Sequence, residues 1–372
     1  MHISKQLCWV VFFLLMPKPL YGAFERLDVS ARAGALGGAF VALGNSSFGG
    51  FYNPASLELL PSREVGVFYS QPYGMSELSY FAFSFADPGF LPNSLGSLGL
   101  SVKRYGFELY NEKTVAASYA GAFERVFFYG FSLNYHHLSI KNYGSAAAFG
   151  LSLGTLFLVS PEFSLGFSGF NLNRPTIGKT SEALPQSYIL GMAYRPDGNL
   201  RILIDFEKDP RFALMLKSGV EYEPVEAISL RAGFSTEPKK MSGGIGIHYG
   251  AMDIDYALAA HSDLGLTHQV ALMVHFGAPE NEPVFQAKLL AFETAWYRSE
   301  SLKSGEVIDL NRASASDLLR VPGMSRRAAF NILRYREAYG AFLTISELEN
   351  VRGISPGMYE KIKDYLIIGE HE

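Results

Sequence analysis

The chain has 372 residues, enough for one large domain and a small second one, with 48% hydrophobic residues and a mean hydropathy of +0.09. That value is too low for a bundle of membrane helices, and no stretch approaches the roughly 20 apolar residues of a spanning helix. A formal net charge of −4 argues against a globally basic nucleic-acid binder.

Lys5, an apolar run from Leu7 to Met16, Pro17 and the small residues Gly22 and Ala23 have the layout of a cleaved signal peptide over residues 1–23. The mature chain is therefore expected to start near Ala23 or Phe24. The single cysteine, Cys8, lies in the segment to be removed and follows Lys5-Gln-Leu7, which is not a lipoprotein signal, so no disulfide or thiol chemistry is expected afterwards. Residues 24–63 contain Ala31-Arg-Ala-Gly-Ala-Leu-Gly-Gly-Ala-Phe-Val-Ala42 and Phe51-Tyr-Asn-Pro-Ala-Ser-Leu57. A phosphate cradle would need a Gly-Lys-Ser/Thr sequence in a βα unit, and neither is present. Small residues let backbones approach closely, which suits a plug seated in a barrel mouth. Arg32, Gly37, Gly38, Asn53 and Pro54 are its signature residues.

Residues 64–277 alternate large apolar with small or polar side chains. Phe81, Phe83 and Phe85 are separated by Ala82 and Ser84; Phe127, Tyr129, Phe131, Leu133 and Tyr135 by Phe128, Gly130, Ser132 and Asn134. A period of two places each set on one face of a strand. An aromatic face against lipid and a small, polar face toward a crowded or wet lumen define an all-β transmembrane barrel, with about fourteen antiparallel strands expected. Arginine in place of Phe83 would meet lipid, whereas at Ser84 it would meet a lumen able to hydrate it. Tight inner turns, such as Glu223 to Glu226 and Gly250, alternate with mostly longer outer connections, the longest from Asn171 to Ser187, so both barrel ends should face the periplasm. Gln269-Val-Ala-Leu-Met-Val-His-Phe276 resembles the terminal assembly signal of outer-membrane proteins, which implies the outer-membrane assembly machinery as a partner. The Ala-Arg-Ala, Gly-Gly-Ala-Phe-Val-Ala and Asn-Pro-Ala runs resemble the N-terminal signature of the long-chain fatty-acid transporter (FadL) superfamily and its PorV/PorQ relatives. That resemblance implies a fourteen-stranded barrel with an inward N-terminal segment, and it leaves open hydrophobic-solute uptake or a role in protein secretion.

Past Gly277 comes a proline-bearing linker, 278–304, with a short helix expected over Val284 to Arg298. From 305 to 372 the periodicity is helical, and Leu318, Val321, Gly323, Ser325, Ile332 and Tyr335 recur 30 residues later as Leu348, Val351, Gly353, Ser355, Ile362 and Tyr365. Each repeat reads helix, glycine turn, helix, with Ser325 and Ser355 as N-caps. Ile308-Asp-Leu-Asn-Arg-Ala313, Val321-Pro-Gly-Met-Ser325, Tyr335-Arg-Glu337 and Gly340-Ala-Phe342 resemble the helix-hairpin-helix domain of ComEA-type competence DNA receptors. The resemblance implies a small all-α domain binding DNA phosphates through Gly323, Met324, Ser325, Arg326, Arg327, Gly353 and Ser355, supported by Arg320, Arg334 and Arg336. The family hairpin reads Gly-hydrophobic-Gly, whereas this chain has Gly-Met-Ser and Gly-Ile-Ser. Arg312 to Arg336 holds six Arg and one acid, 6 − 1 = +5, while Glu337 to Glu372 holds seven acids against three bases, 3 − 7 = −4. Only the first hairpin suits a polyanion.

The histidines show no metal-ligand spacing, and neither catalytic residues nor a metal or cofactor site is expected. Asp253 and Asp255 share a strand face, where hydration of the lumen is the simplest account. Two functions stay open for an outer-membrane barrel surrounded by lipid. Its periplasmic C-terminal domain binds DNA non-specifically, or the barrel transports a hydrophobic solute or assists secretion while that domain docks a periplasmic or secretion-system protein.

Overall fold

The computed structural model describes residues 23–88, 90, 95–123, 126–160, 162–196, 199–277, 302, 305–324, 326–351 and 354–369. The expected signal peptide up to Gly22, nearly all of the linker with its expected helix, Ser325 and Gly353 lie outside the described residues. The chain divides into two units, Met1–Gln286 and Ala287–Glu372.

The first unit is a closed barrel of fourteen antiparallel strands: β1 (Arg63–Gln71), β2 (Tyr80–Asp87), β3 (Ser97–Gly106), β4 (Tyr110–Phe123), β5 (Phe127–Ile140), β6 (Gly144–Leu158), β7 (Phe163–Phe170), β8 (Ser187–Tyr194), β9 (Leu200–Lys208), β10 (Met215–Val225), β11 (Ile228–Thr236), β12 (Lys239–Tyr249), β13 (Met252–His261) and β14 (Gly265–Phe276). Each strand pairs with its neighbours in sequence, and β1 closes on β14 with Arg63 opposite Phe276. Closure leaves no open edge, the condition for a sheet to cross hydrocarbon.

Register turns the alternation into rings. Val67, Phe83, Val102, Val115, Tyr135 and Phe149 are successive cross-strand partners over β1 to β6, forming an apolar outer row. One residue along, Gly66, Ser84, Ser101, Ala116, Asn134 and Gly150 form the matching inner row. The contrast is sharp on β5, where Phe131 is 50% exposed and Ser132 is 2% exposed. The outer row is the surface that lipid covers.

The connections correct one expectation. Only those spanning 72–79, 171–186 and 209–214 are longer than most inner turns; four others on that side are reversals of two or three residues, at 107–109, 141–143, 237–238 and 262–264. Left-handed glycines such as Gly144 (φ +100°) permit such tight reversals. The longest connection carries its own two-stranded ladder, Thr176–Ile177 with Glu182–Ala183.

The second unit has α2 (Ala315–Leu319), α3 (Arg326–Tyr339) and α4 (Pro356–Ile362) around one core. Leu318, Val321 and Ile332 are buried together with their repeat partners Leu348, Val351 and Ile362, so the duplication appears as a two-fold-repeated core. A parallel bridge between Ile308–Asp309 and Leu366–Ile367 ties its ends. Asn311 fixes the intervening loop: its Nδ2 donates to the Phe342 carbonyl at 2.9 Å and its Oδ1 accepts from the Phe342 N–H at 2.8 Å.

Candidate functional site

The lumen is occupied by the chain's own N-terminal segment. Ser30 caps the short helix α1 (Ala31–Ala35), accepting from the Ala33 N–H, and Ala31, Ala33 and Ala35 are fully buried. Asn53 caps the 3₁₀ turn Pro54–Leu59, with Pro54 in its first turn, where a missing N–H costs nothing. The Asn53 amide also donates to the Val41 carbonyl at 2.8 Å and to the Thr155 carbonyl of β6 at 2.9 Å, joining plug to wall. Gly37 (φ +67°) lies against the barrel backbone: a Cβ there would stand 2.6 Å from the Phe234 nitrogen, and one on the facing wall residue Gly233 would stand 2.1 Å from the Gly37 nitrogen. Gly38 is also left-handed, at φ +83°. The structure thus brings all five signature residues into the plug; the wall residues Gly130, Gly166, Gly219 and Gly233 lie against the plug backbone, whereas Gly66 meets the Phe48 ring.

Arg32 carries the strongest polar anchor. Its Nε and Nη2 donate to Glu221 on β10 at 2.8 and 2.7 Å, and Arg201 and Arg231 donate to the same carboxylate at 2.6 and 2.7 Å. Arg201 also reaches Glu223 at 2.6 Å, and Arg231 reaches Asp255 at 2.5 Å. Three guanidiniums therefore face three carboxylates, and a charge-balanced network is the only form in which such groups are tolerated so deep. Asp255 is 1% exposed and ion-paired with Arg231, enclosed where its sequence position suggested a carboxylate open to the lumen. Asp253 is instead hydrogen-bonded to His248 and His275, each at 2.8 Å. Ser84 is likewise enclosed: it is fully buried and its Oγ donates to the Ser47 carbonyl of the plug at 2.7 Å.

In the second unit, Ser314 and Asp317 form a capping box on α2, and the Ser314 donors hold the Asp317 carboxyl below its usual range. The chain then turns through Val321-Pro-Gly-Met324. The Met324 N–H donates to the Val321 carbonyl at 3.0 Å and Gly323 has φ +92°, so proline and glycine occupy the two central positions they favour in a type II turn. Arg326 and Arg327 open α3 directly after this turn, and Arg334 follows two helical turns later. Helix N-termini present N–H groups and a partial positive charge to anions.

The remaining candidates separate. Arg336 donates to the Leu310 and Ala313 carbonyls at 3.0 and 2.9 Å, so its guanidinium holds the loop before α2. Arg320 pairs with Glu306 at 2.7 Å. In the second hairpin the Ile354 N–H donates to the Val351 carbonyl at 3.1 Å, and Ser355 caps α4 by accepting from the Met358 N–H. However, Pro356 and Gly357 stand where the first hairpin has Arg326 and Arg327. Proline has no N–H to offer an anion, an asymmetry that the 30-residue offset by itself could have shown.

These two units define a class: a fourteen-stranded transmembrane β-barrel fold in one chain with a small helix-hairpin-helix module. Residues 303–367 match the family model described as "Helix-hairpin-helix motif". The barrel shares its fold with the Ralstonia pickettii toluene transporter TbuX (TM-score 0.51, 13% identity, 67% of this chain and 98% of that one) and a Pseudomonas aeruginosa FadL homologue (TM-score 0.52, 10% identity, 69% and 100%). Among curated proteins, the Xenopus laevis "Endonuclease/exonuclease/phosphatase family domain-containing protein 1" is 30% identical over 89 residues, covering 24% of this chain and 16% of that protein. Its human counterpart is 32% identical over 72 residues, covering 19% and 13%. The chain thus spans about one sixth or less of those relatives' length. It joins a FadL-like barrel to a helix-hairpin-helix domain.

Proposed function

We propose that the barrel anchors the helix-hairpin-helix domain on the periplasmic side of the outer membrane, where its first hairpin binds duplex DNA without sequence preference, in DNA uptake or retention. The observation that carries this reading is the Val321–Met324 turn feeding the N-terminus of α3 within a segment of net charge +5. The expected complex sets a phosphate against the N–H groups at the start of α3, with Arg326 and Arg327 supplying charge. β1 begins and β14 ends on one barrel rim, which supports a periplasmic exit for the C-terminal domain.

Fluorescence anisotropy of a labelled duplex with the purified protein across a salt series tests this. Affinity is expected to fall steeply with salt, with a slope of about −0.9 per phosphate neutralised. Replacing Arg326 and Arg327 with Ala should weaken binding and flatten the slope by up to two contacts, whereas Lys361→Ala and Lys363→Ala, placed among acids, should matter less. Gly323→Val should remove binding by denying the turn its positive φ. Absence of binding at low salt by folded protein would reject the DNA reading.

A second reading is favoured by the barrel fold, which this chain shares with proteins described as toluene transporters. In it the barrel carries a hydrophobic solute or supports secretion, and the C-terminal domain docks a protein partner. Solute uptake that depends on the barrel, with no DNA binding, would select it.

A further inference from the structure

The first described residues of the plug are enclosed. Ala23 and Phe24 are 8% and 6% exposed and cluster with Ala148 of β6 and with Ile177 and Leu184 from the long connection between β7 and β8. The Phe24 ring meets His136 of β5 edge-on, with ring centroids 5.1 Å apart. Its backbone N–H faces the carboxylate of Glu112 on β4, which is 6% exposed and accepts from the Tyr110 hydroxyl at 2.6 Å. Lys103, on the neighbouring strand, attracts this carboxylate and Glu25 opposes it. A buried carboxylate held by neutral donors gains greatly from a full positive charge at the same place. Phe24 also has φ +61°, a left-handed conformation unusual for a bulky residue. That torsion exists only while the Ala23–Phe24 peptide bond is intact.

We propose that the α-ammonium of the mature chain is itself a ligand of the plug: cleavage at the Ala23–Phe24 bond creates it, and it pairs with Glu112 inside the lumen. The inference rests on residues 1–23 being a cleaved signal and is independent of whether DNA or a solute is the cargo. Hydrolysis by a signal peptidase consumes one water, leaves a carboxylate on Ala23 and an amine on Phe24, and the amine takes up a proton at neutral pH because an α-amino group has a pKa of about 8. The ammonium offers three donors where the amide offered one. Signal removal thereby completes the seat of the plug, and the precursor lacks this anchor.

The test uses the full-length protein purified from outer membranes in detergent. Intact mass is expected to show a chain beginning at Phe24; a chain that keeps Ala23, or that begins at Glu25 or later, overturns the proposal. Amine-reactive ester labelling at neutral pH is expected to modify the terminal amine about tenfold more slowly in the native barrel than in the unfolded chain, since both pairing and enclosure protect it. Equal rates overturn it, whatever any variant does. Glu112→Gln should raise native labelling toward the unfolded rate while heat-modifiable gel migration is kept, and a folded variant with unchanged protection overturns the pairing.

Discussion

Glu221→Gln is expected to destabilise the barrel by about 3–5 kcal/mol and to loosen its plug, the cost typical of breaking a buried ion pair from one side. Glu221 is fully buried and accepts four hydrogen bonds from three arginines. Arg201 retains Glu223 and Arg231 retains Asp255 when this charge is removed. Arg32 then keeps its bond to Asn45 at 3.0 Å and the face of the Phe40 ring, with Asp255 and Glu223 attracting it only from farther away, so the buried network carries one unbalanced positive charge. Denaturant unfolding in detergent gives the stability, and protease cleavage within residues 24–62 reports the plug. Adding Arg32→Met to Glu221→Gln should recover part of the loss, a coupling that a double-mutant cycle measures directly. If the single variant unfolds at the native denaturant concentration with an equally protected plug, the network does not hold the plug.

Phe83→Arg is expected to cost about 2–4 kcal/mol, because the outer row in which it stands meets hydrocarbon and an arginine near the midplane must keep its charge there. Its cross-strand neighbours Val67 and Val102 offer no polar partner. Ser84→Arg on the inner row is damaging too, by a different route. It removes the bond to the Ser47 carbonyl and drives a long side chain into the packed 46–48 segment, where Glu64 also accepts from the Ser47 N–H at 2.7 Å. The two defects separate by assay: Phe83→Arg should reduce the heat-modifiable folded fraction, while Ser84→Arg should leave more folded barrel with a protease-accessible plug. Identical profiles in both assays would mean that the faces are not distinguished as the rows show.

Much of this was legible in the residues. Alternation along β2 and β5 sorts lipid-facing from lumen-facing positions because successive side chains leave opposite sides of a strand, whatever the strand's partner. The 30-residue repeat exposes the paired hairpins for a similar reason, since each copy must bury the same Leu, Val and Ile. Arg32, Gly37, Gly38, Asn53 and Pro54 were recognisable as one short signature. The assignment of roles within the first hairpin was less so: Arg320 and Arg336 read as free positive charge, yet one pairs with Glu306 and the other holds the Leu310 and Ala313 carbonyls. Charge counting registers sign and proximity in sequence, and it is blind to what a guanidinium is already bonded to.

Local periodicity and repeat thus determined the strands, their faces, their approximate number and the second domain, because each is a property of neighbouring residues. Only the tertiary structure decided that the lumen at Ser84 and Asp255 is packed, that Arg32 meets a carboxylate 189 residues away, and that Asp253 bridges two histidines. Those contacts exist because the sheet closes β1 on β14 around an inserted segment, and closure with its register is a condition on the whole chain that no short stretch of sequence encodes.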